Sequence, residues 1–228
     1  MALYDSADLL SRVKEAAMRP SLDGDMSDVR WYNLLSDSQI YWMERLAATC
    51  PQSQWGAPVK LVTTDGGLTY YLNNAGAPLE FFGGIQLRHG LGGDMIYVGA
   101  DFDNRSDLVQ EGSVFRVPNG ITRQFPNGLY ARYVGMPTVI SASVAPVLQP
   151  ARARQLLVYR GCILYASRGG FFDPRPYQNL EDELYFGDPK RGDVGILGTL
   201  RNQYAVTLPI SSDANPRWYA SSDLGPTR

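Results

Sequence analysis

The chain has 228 residues, room for one sizeable domain or two small ones, and its 44% hydrophobic and 19% charged residues exclude wholesale disorder. A formal net charge of −2 and a pI near 5.4 exclude a global basic field that would attract nucleic acid or an anionic membrane. No run approaches the roughly 18 apolar residues of a membrane span, and the opening Met1 to Ser6 lacks the basic-then-apolar order of a signal peptide.

In chain order, residues 7–18 predict an amphipathic helix with Leu9, Leu10, Val13, Ala16 and Ala17 on one side and Asp8, Ser11, Arg12 and Glu15 on the other. Pro20 and the turn Asp23-Gly24-Asp25 stop it. Ser27 can cap the next helix, and Ser36 to Gln39 fits a capping box leading into the stripe Ile40, Trp42, Met43, Leu46, Ala47 and Cys50. Residues 28–50 therefore read as one helix or as two. From 57 to about 137 the runs 59–63, 68–72, 81–87, 95–98, 114–117 and 129–134 are short and rich in β-branched and aromatic residues. Gly and Asn turns separate them, which predicts a small antiparallel sheet or sandwich.

The most constraining segment follows, from Ala151 to Arg168. On a helical wheel Leu156, Leu157, Val158, Tyr159, Cys162, Ile163, Leu164 and Tyr165 cover the whole circumference, so this helix must be enclosed by its own domain, by copies of itself, or by both. Arg152, Arg154, Arg160 and Arg168 scatter round the same wheel and need partners. A subunit interface would supply them, so these four and Tyr165 are candidate inter-subunit residues. Gly169-Gly170 closes the helix, further helical stretches are expected over 180–186 and 194–202, and 204–228 reads as an extended arm with one aromatic anchor, Arg217-Trp218-Tyr219. The fold class is thus α+β. A helical bundle from 1–56 and 138–203 carries an inserted β domain at 57–137 and an extended C-terminal arm at 204–228.

No catalytic, metal or cofactor constellation emerges. His89, the only histidine, lies between a strand and a Gly-rich turn and reads as a turn residue. Pairing it with Cys162 as nucleophile and base fails because an apolar helix disfavours a thiolate. Cys50 and Cys162 read as buried thiols in a reducing compartment. Asp101 to Gly112 departs from a calcium loop at Arg105, Ser106 and Gly112, and Gly90 to Met95 lacks the third glycine of a dinucleotide fingerprint.

Asp8 to Lys14, and Met26 to Leu35 leading to Gln39, resemble the opening of tailed-bacteriophage head–tail adaptor (connector or neck) proteins. Ala151 to Tyr159, Asp173-Pro-Arg-Pro-Tyr177, Phe186-Gly-Asp-Pro189 and Gly192-Asp-Val-Gly195 resemble their second helical half, and the β segment matches in layout the insertion of the gatekeeper-type adaptors. The likeness covers about half the chain. It implies a non-enzymatic virion protein, assembled in the host cytoplasm, that forms a ring, usually of twelve copies, beneath the portal of the DNA-filled capsid. Its arm would engage the portal protein or a neighbouring subunit, and the other face would receive the stopper, nozzle or tail-tube protein. Genome DNA would pass through the lumen without specific binding. Two alternatives stand beside it: a tail-completion or tail-terminator protein, and a β-sandwich glycan-binding module built on Trp55, Tyr70, Tyr71, Phe81 and Phe82.

Overall fold

The computed structural model describes residues 4–17, 26–63, 65–72, 81–92, 95–96, 98–99, 108–111, 114–117, 125, 127–168, 173–188 and 190–205. Five α-helices and two small sheets appear among them, an α+β fold in which helices from both ends of the chain flank a β insertion. The expected closing glycines Gly169-Gly170, the acidic loop beginning at Asp101 and the arm from 206 onward lie outside the described residues.

Helix α1 (Ser6–Ala16) starts where the carboxylate of Asp5 accepts the amide of Asp8 at 2.8 Å, and Asp8 in turn accepts the amide of Tyr4. Both acids sit at the positive end of the helix dipole. Helix α2 (Asp28–Thr49) is one unbroken helix of 22 residues. Ser36 to Gln39 therefore caps nothing: Ser36 and Ser38 lie in mid-helix and return their hydroxyls to the carbonyls of Tyr32 and Leu34. The apolar period continues straight through them, with Trp31, Leu35, Trp42 and Leu46 all buried, and packing overrides the local capping signal. Pro51 ends the helix in a short 3-10 turn, Pro51–Gln54.

The insertion forms two sheets. One has the order β1 (Val59–Lys60), β9 (Leu129–Gly135), β4 (Phe81–His89), β5 (Met95–Ile96). The other has the order β2 (Val62–Thr63), β3 (Thr69–Tyr71), β8 (Val114–Arg116), β7 (Leu108–Glu111), β6 (Val98–Gly99). All pairings are antiparallel except β6 with β7, which run parallel. The expected single strand over 59–63 is split at Leu61, whose side chain is buried and whose amide bonds the carbonyl of Leu129. The run thus passes from one sheet to the other through a core residue. Leu61, Tyr70, Leu72, Leu87, Leu108, Phe115, Leu129 and Ala131 fill the space between.

Helix α3 (Gln155–Ser167) follows a 3-10 turn at Ala151–Arg154 and packs against α1, α2 and α4 (Arg175–Phe186). Its own chain supplies the enclosure its sequence demands. Gly161 permits the close approach of α1, since a Cβ there would stand 3.2 Å from Val13. Leu9, Val13, Trp31, Trp42, Leu156, Leu157, Cys162, Tyr185, Ile196 and Leu200 belong to one continuous core. Helix α5 (Gly195–Ala205) closes the bundle and runs two residues into the range expected for the arm. The turn into it brings Gly187 and Gly195 together, both at positive φ, and a side chain on Gly187 would strike the carbonyl of Asp193.

Between β9 and α3 the chain runs as an irregular strap from 136 to 150, turning at the isolated bridge Ser141–Val144. Buried side chains of the bundle stand in for missing backbone partners. Gln39 donates its amide to the carbonyl of Thr138 at 3.1 Å and accepts the amide of Val147 at 2.8 Å, spanning both arms of the turn. Ser36 accepts the amide of Ile140, and Gln54 pairs with both backbone groups of Gln149 as a strand neighbour would. Ile140 and Leu148 plug into the helical core, while Met136, Val139 and Val147 face outward.

Candidate functional site

The four arginines of the α3 region reach four different parts of the same chain. Arg152 pairs with Asp193 at 3.7 Å, in the loop before α5. Arg154 is half-buried and donates Nε to the carbonyl of Leu148 at 3.0 Å, and burial pushes its guanidinium below the usual arginine range. Arg160 meets Glu181 of α4 at 2.9 Å, and Arg168 meets Asp37 of α2 at 2.8 Å. The need for partners is therefore met within one subunit. Tyr165 is buried with its ring 4.9 Å from that of Trp31, and only Tyr165 and Arg168 of the five candidates come together, in a cleft of about 300 Å³ with Met26, Arg30, Asn33 and Leu34. Arg217, Trp218 and Tyr219 lie outside the described residues.

The densest concentration of charge and π-surface joins α2, α3 and α4. Glu181 is 4% exposed and accepts Nε1 of Trp42 at 3.0 Å as well as Nε of Arg160. The Arg160 guanidinium lies 3.8 Å above the Tyr41 ring. Arg45 donates to the Tyr41 hydroxyl and stands over the rings of Trp42, Tyr185 and Phe186. Sequence reasoning missed this cluster because Glu181-Asp182-Glu183 looks like a wet surface. The signal was in the period: Tyr177, Glu181, Leu184 and Tyr185 share the inward face of α4.

Burial raises the pKa of the Glu181 carboxyl, and the neighbouring Arg160 and the Trp42 hydrogen bond offset this only in part. The folded chain therefore holds that proton more tightly than the unfolded one. This contribution to stability is complete below the ordinary glutamate range, about pH 4, and is lost as pH rises through the raised value. Glu181→Gln keeps an acceptor for Trp42 and removes the titration. The urea midpoint of the wild type should fall relative to that of Glu181→Gln as pH is raised from about 4 toward neutral; parallel curves would mean that Glu181 is not desolvated.

Beside this cluster, Phe186, Gly192, Asp193, Val194, Leu197, Gly198 and Arg201 line an open groove of about 520 Å³ between α4 and α5. Phe186 and Val194 are each 51% exposed there, and Leu180 is exposed on the same helix as Phe186. The residues considered for chemistry lie apart. Cys162 is fully buried in the helical core and its thiol is pushed up to about 12, so it cannot act as a thiolate near neutral pH. Cys50 is also buried and its thiol raised by desolvation. His89 ends β4, accepts the amide of Asn127 through Nε2 at 3.4 Å and packs edge-on to Phe125. Among the described residues no group of three or more His, Cys, Asp or Glu side chains could hold a metal ion, and no helix is long and apolar enough to cross a membrane.

No family description and no curated protein matches this chain. Of the aromatic residues considered for glycan stacking, Tyr70 is core and Trp55 packs against the helical core, while Tyr71 is half-buried. The side chains of Phe81 and Phe82 lie outside the described set.

Proposed function

We propose that this chain is a head–tail adaptor of a tailed bacteriophage, a structural subunit repeated in a ring, usually of twelve copies, between the portal of the filled capsid and the tail. The observation that carries the reading is the layout. One helical core is assembled from the two ends of the chain around an inserted β domain, as the resemblance of residues 8–39 and 151–195 implies. Exposed apolar side chains at two separate places support a subunit that repeats by a heterologous contact: Met136, Val139 and Val147 on the strap, and Phe186 and Val194 at the groove. A slightly acidic chain also suits a conduit that DNA must traverse without sticking.

Mixing the purified chain with DNA-filled, tailless capsids and imaging the unique vertex tests the proposal. Added ring density is the expected result. A chain that ignores the vertex and instead decorates isolated tails would replace the adaptor with a tail terminator. A chain ending at Ala205 should keep its helical spectrum and melting temperature yet fail to join the vertex; normal decoration by that chain would remove the docking role assigned to the arm.

A further inference from the structure

The groove between α4 and α5 has a candidate occupant in the chain itself. Its walls are Phe186 on one side and Val194 with Leu197 on the other, and Gly192 and Gly198 leave part of the lining without side chains. An open groove with this apolar lining can take a planar ring, and Arg201, also in its lining, can lie against a π-face. Arg201 has no ion-pair partner among the described residues, whereas Asp193 across the groove is already held by Arg152.

Three of the four tryptophans belong to the helical core: Trp31 and Trp42 are buried in it and Trp55 packs against it. The fourth, Trp218, falls in the 23 residues that follow Ala205. Those residues leave from α5, the helix that forms one wall of the groove. Leu197 lies about 12 Å back along the helix from Ala205. The 13 residues from Ala205 to Trp218 span up to about 43 Å when extended, so the segment returns to the groove with slack. A tether of that length holds its end at an effective concentration on the order of millimolar, so a modest contact suffices to keep it seated.

We propose that in the isolated chain Trp218 folds back into the α4–α5 groove, covering Phe186 and Val194.

Fluorine NMR of the full chain labelled with 5-fluorotryptophan reads it directly, with the Trp218 resonance assigned through Trp218→Phe. In the wild type that resonance should be displaced from its position in a free peptide of residues 214–222, and dilution should leave it there. Val194→Asp, a change at a half-exposed site, should return it to the free-peptide position while the other three resonances stay in place. Phe186→Ser should do the same and serves if Val194→Asp perturbs the bundle. A wild-type resonance already at the free-peptide position would overturn the proposal. So would a displaced resonance indifferent to both groove substitutions, or one that relaxes on dilution, which would place Trp218 on a second copy.

Discussion

Glu181→Ala should lower the unfolding free energy by about 3 kcal/mol, read as a shift of the urea midpoint at unchanged slope. The carboxylate is almost wholly enclosed and satisfies two buried donors at once, Nε1 of Trp42 and Nε of Arg160. Truncation leaves both without an acceptor, and a buried pair broken from one side costs about 3–5 kcal/mol. The lower figure applies because the Arg160 side chain keeps 20% of its exposure and its face on Tyr41, so water and the ring recover part of the loss. Removing both charges together, as Arg160→Met with Glu181→Leu, should be milder than Glu181→Ala alone, since no charge is then stranded. If the single change costs less than about 1 kcal/mol, the cluster behaves as a surface ion pair and α4 is not anchored through it.

Gln39→Leu should cost about 1–3 kcal/mol, at nearly constant side-chain volume. The amide of Gln39 is fully buried and, among the described residues, supplies the only bonds to the carbonyl of Thr138 and the amide of Val147. Leucine fills the space but satisfies neither group, and Thr138 and Val147 are themselves exposed, so each loss counts as an ordinary hydrogen bond of about 0.5–1.5 kcal/mol. Hydrogen exchange separates this from a general loss of stability. Exchange at the Val147 amide should accelerate more than at the Ile140 amide, which Ser36 continues to hold. Equal acceleration at both would mean that the strap opens as one piece and that Gln39 holds neither arm in particular.

The sequence made the helices and most strands readable because hydrophobic period is strong in them. Helix α1 and the all-round apolar α3 lie within a few residues of their expected bounds. Strand β7, Leu108–Glu111, escaped notice because its four residues follow an acidic stretch and only Leu108 and Val109 are core. Helix α4 starts five residues before the expected 180, since Pro174 and Pro176 look like breakers yet occupy the first positions of a helix, where a missing N–H costs nothing. The capping box at Ser36 misled for a different reason. Ser and Gln satisfy backbone donors at a helix start, and here they satisfy those of the strap, 104 and 108 residues away. The four arginines do find partners, but a helical wheel does not tell whether a partner belongs to the same chain. Glu181 and the groove arise only when α2, α3, α4 and α5 converge, which no local pattern encodes.

The β insertion leaves the bundle at β1 and returns along β9, and these two strands are hydrogen-bonded neighbours, Val59 facing Ala131 and the Gly56 amide bonded to the carbonyl of Tyr133. The two points at which the bundle meets its guest are therefore separated by about 5 Å. Apart from β4 where it meets α2 and Val134 where it enters the helical core, the insertion is an exchangeable cartridge: a smaller hairpin or a different sheet that keeps those two contacts could close the same gap without moving α2 or α3. Lineages sharing this bundle would then be free to vary the cartridge under selection from whatever lies against it, while the Ser36, Gln39 and Gln54 clasps keep the socket unchanged.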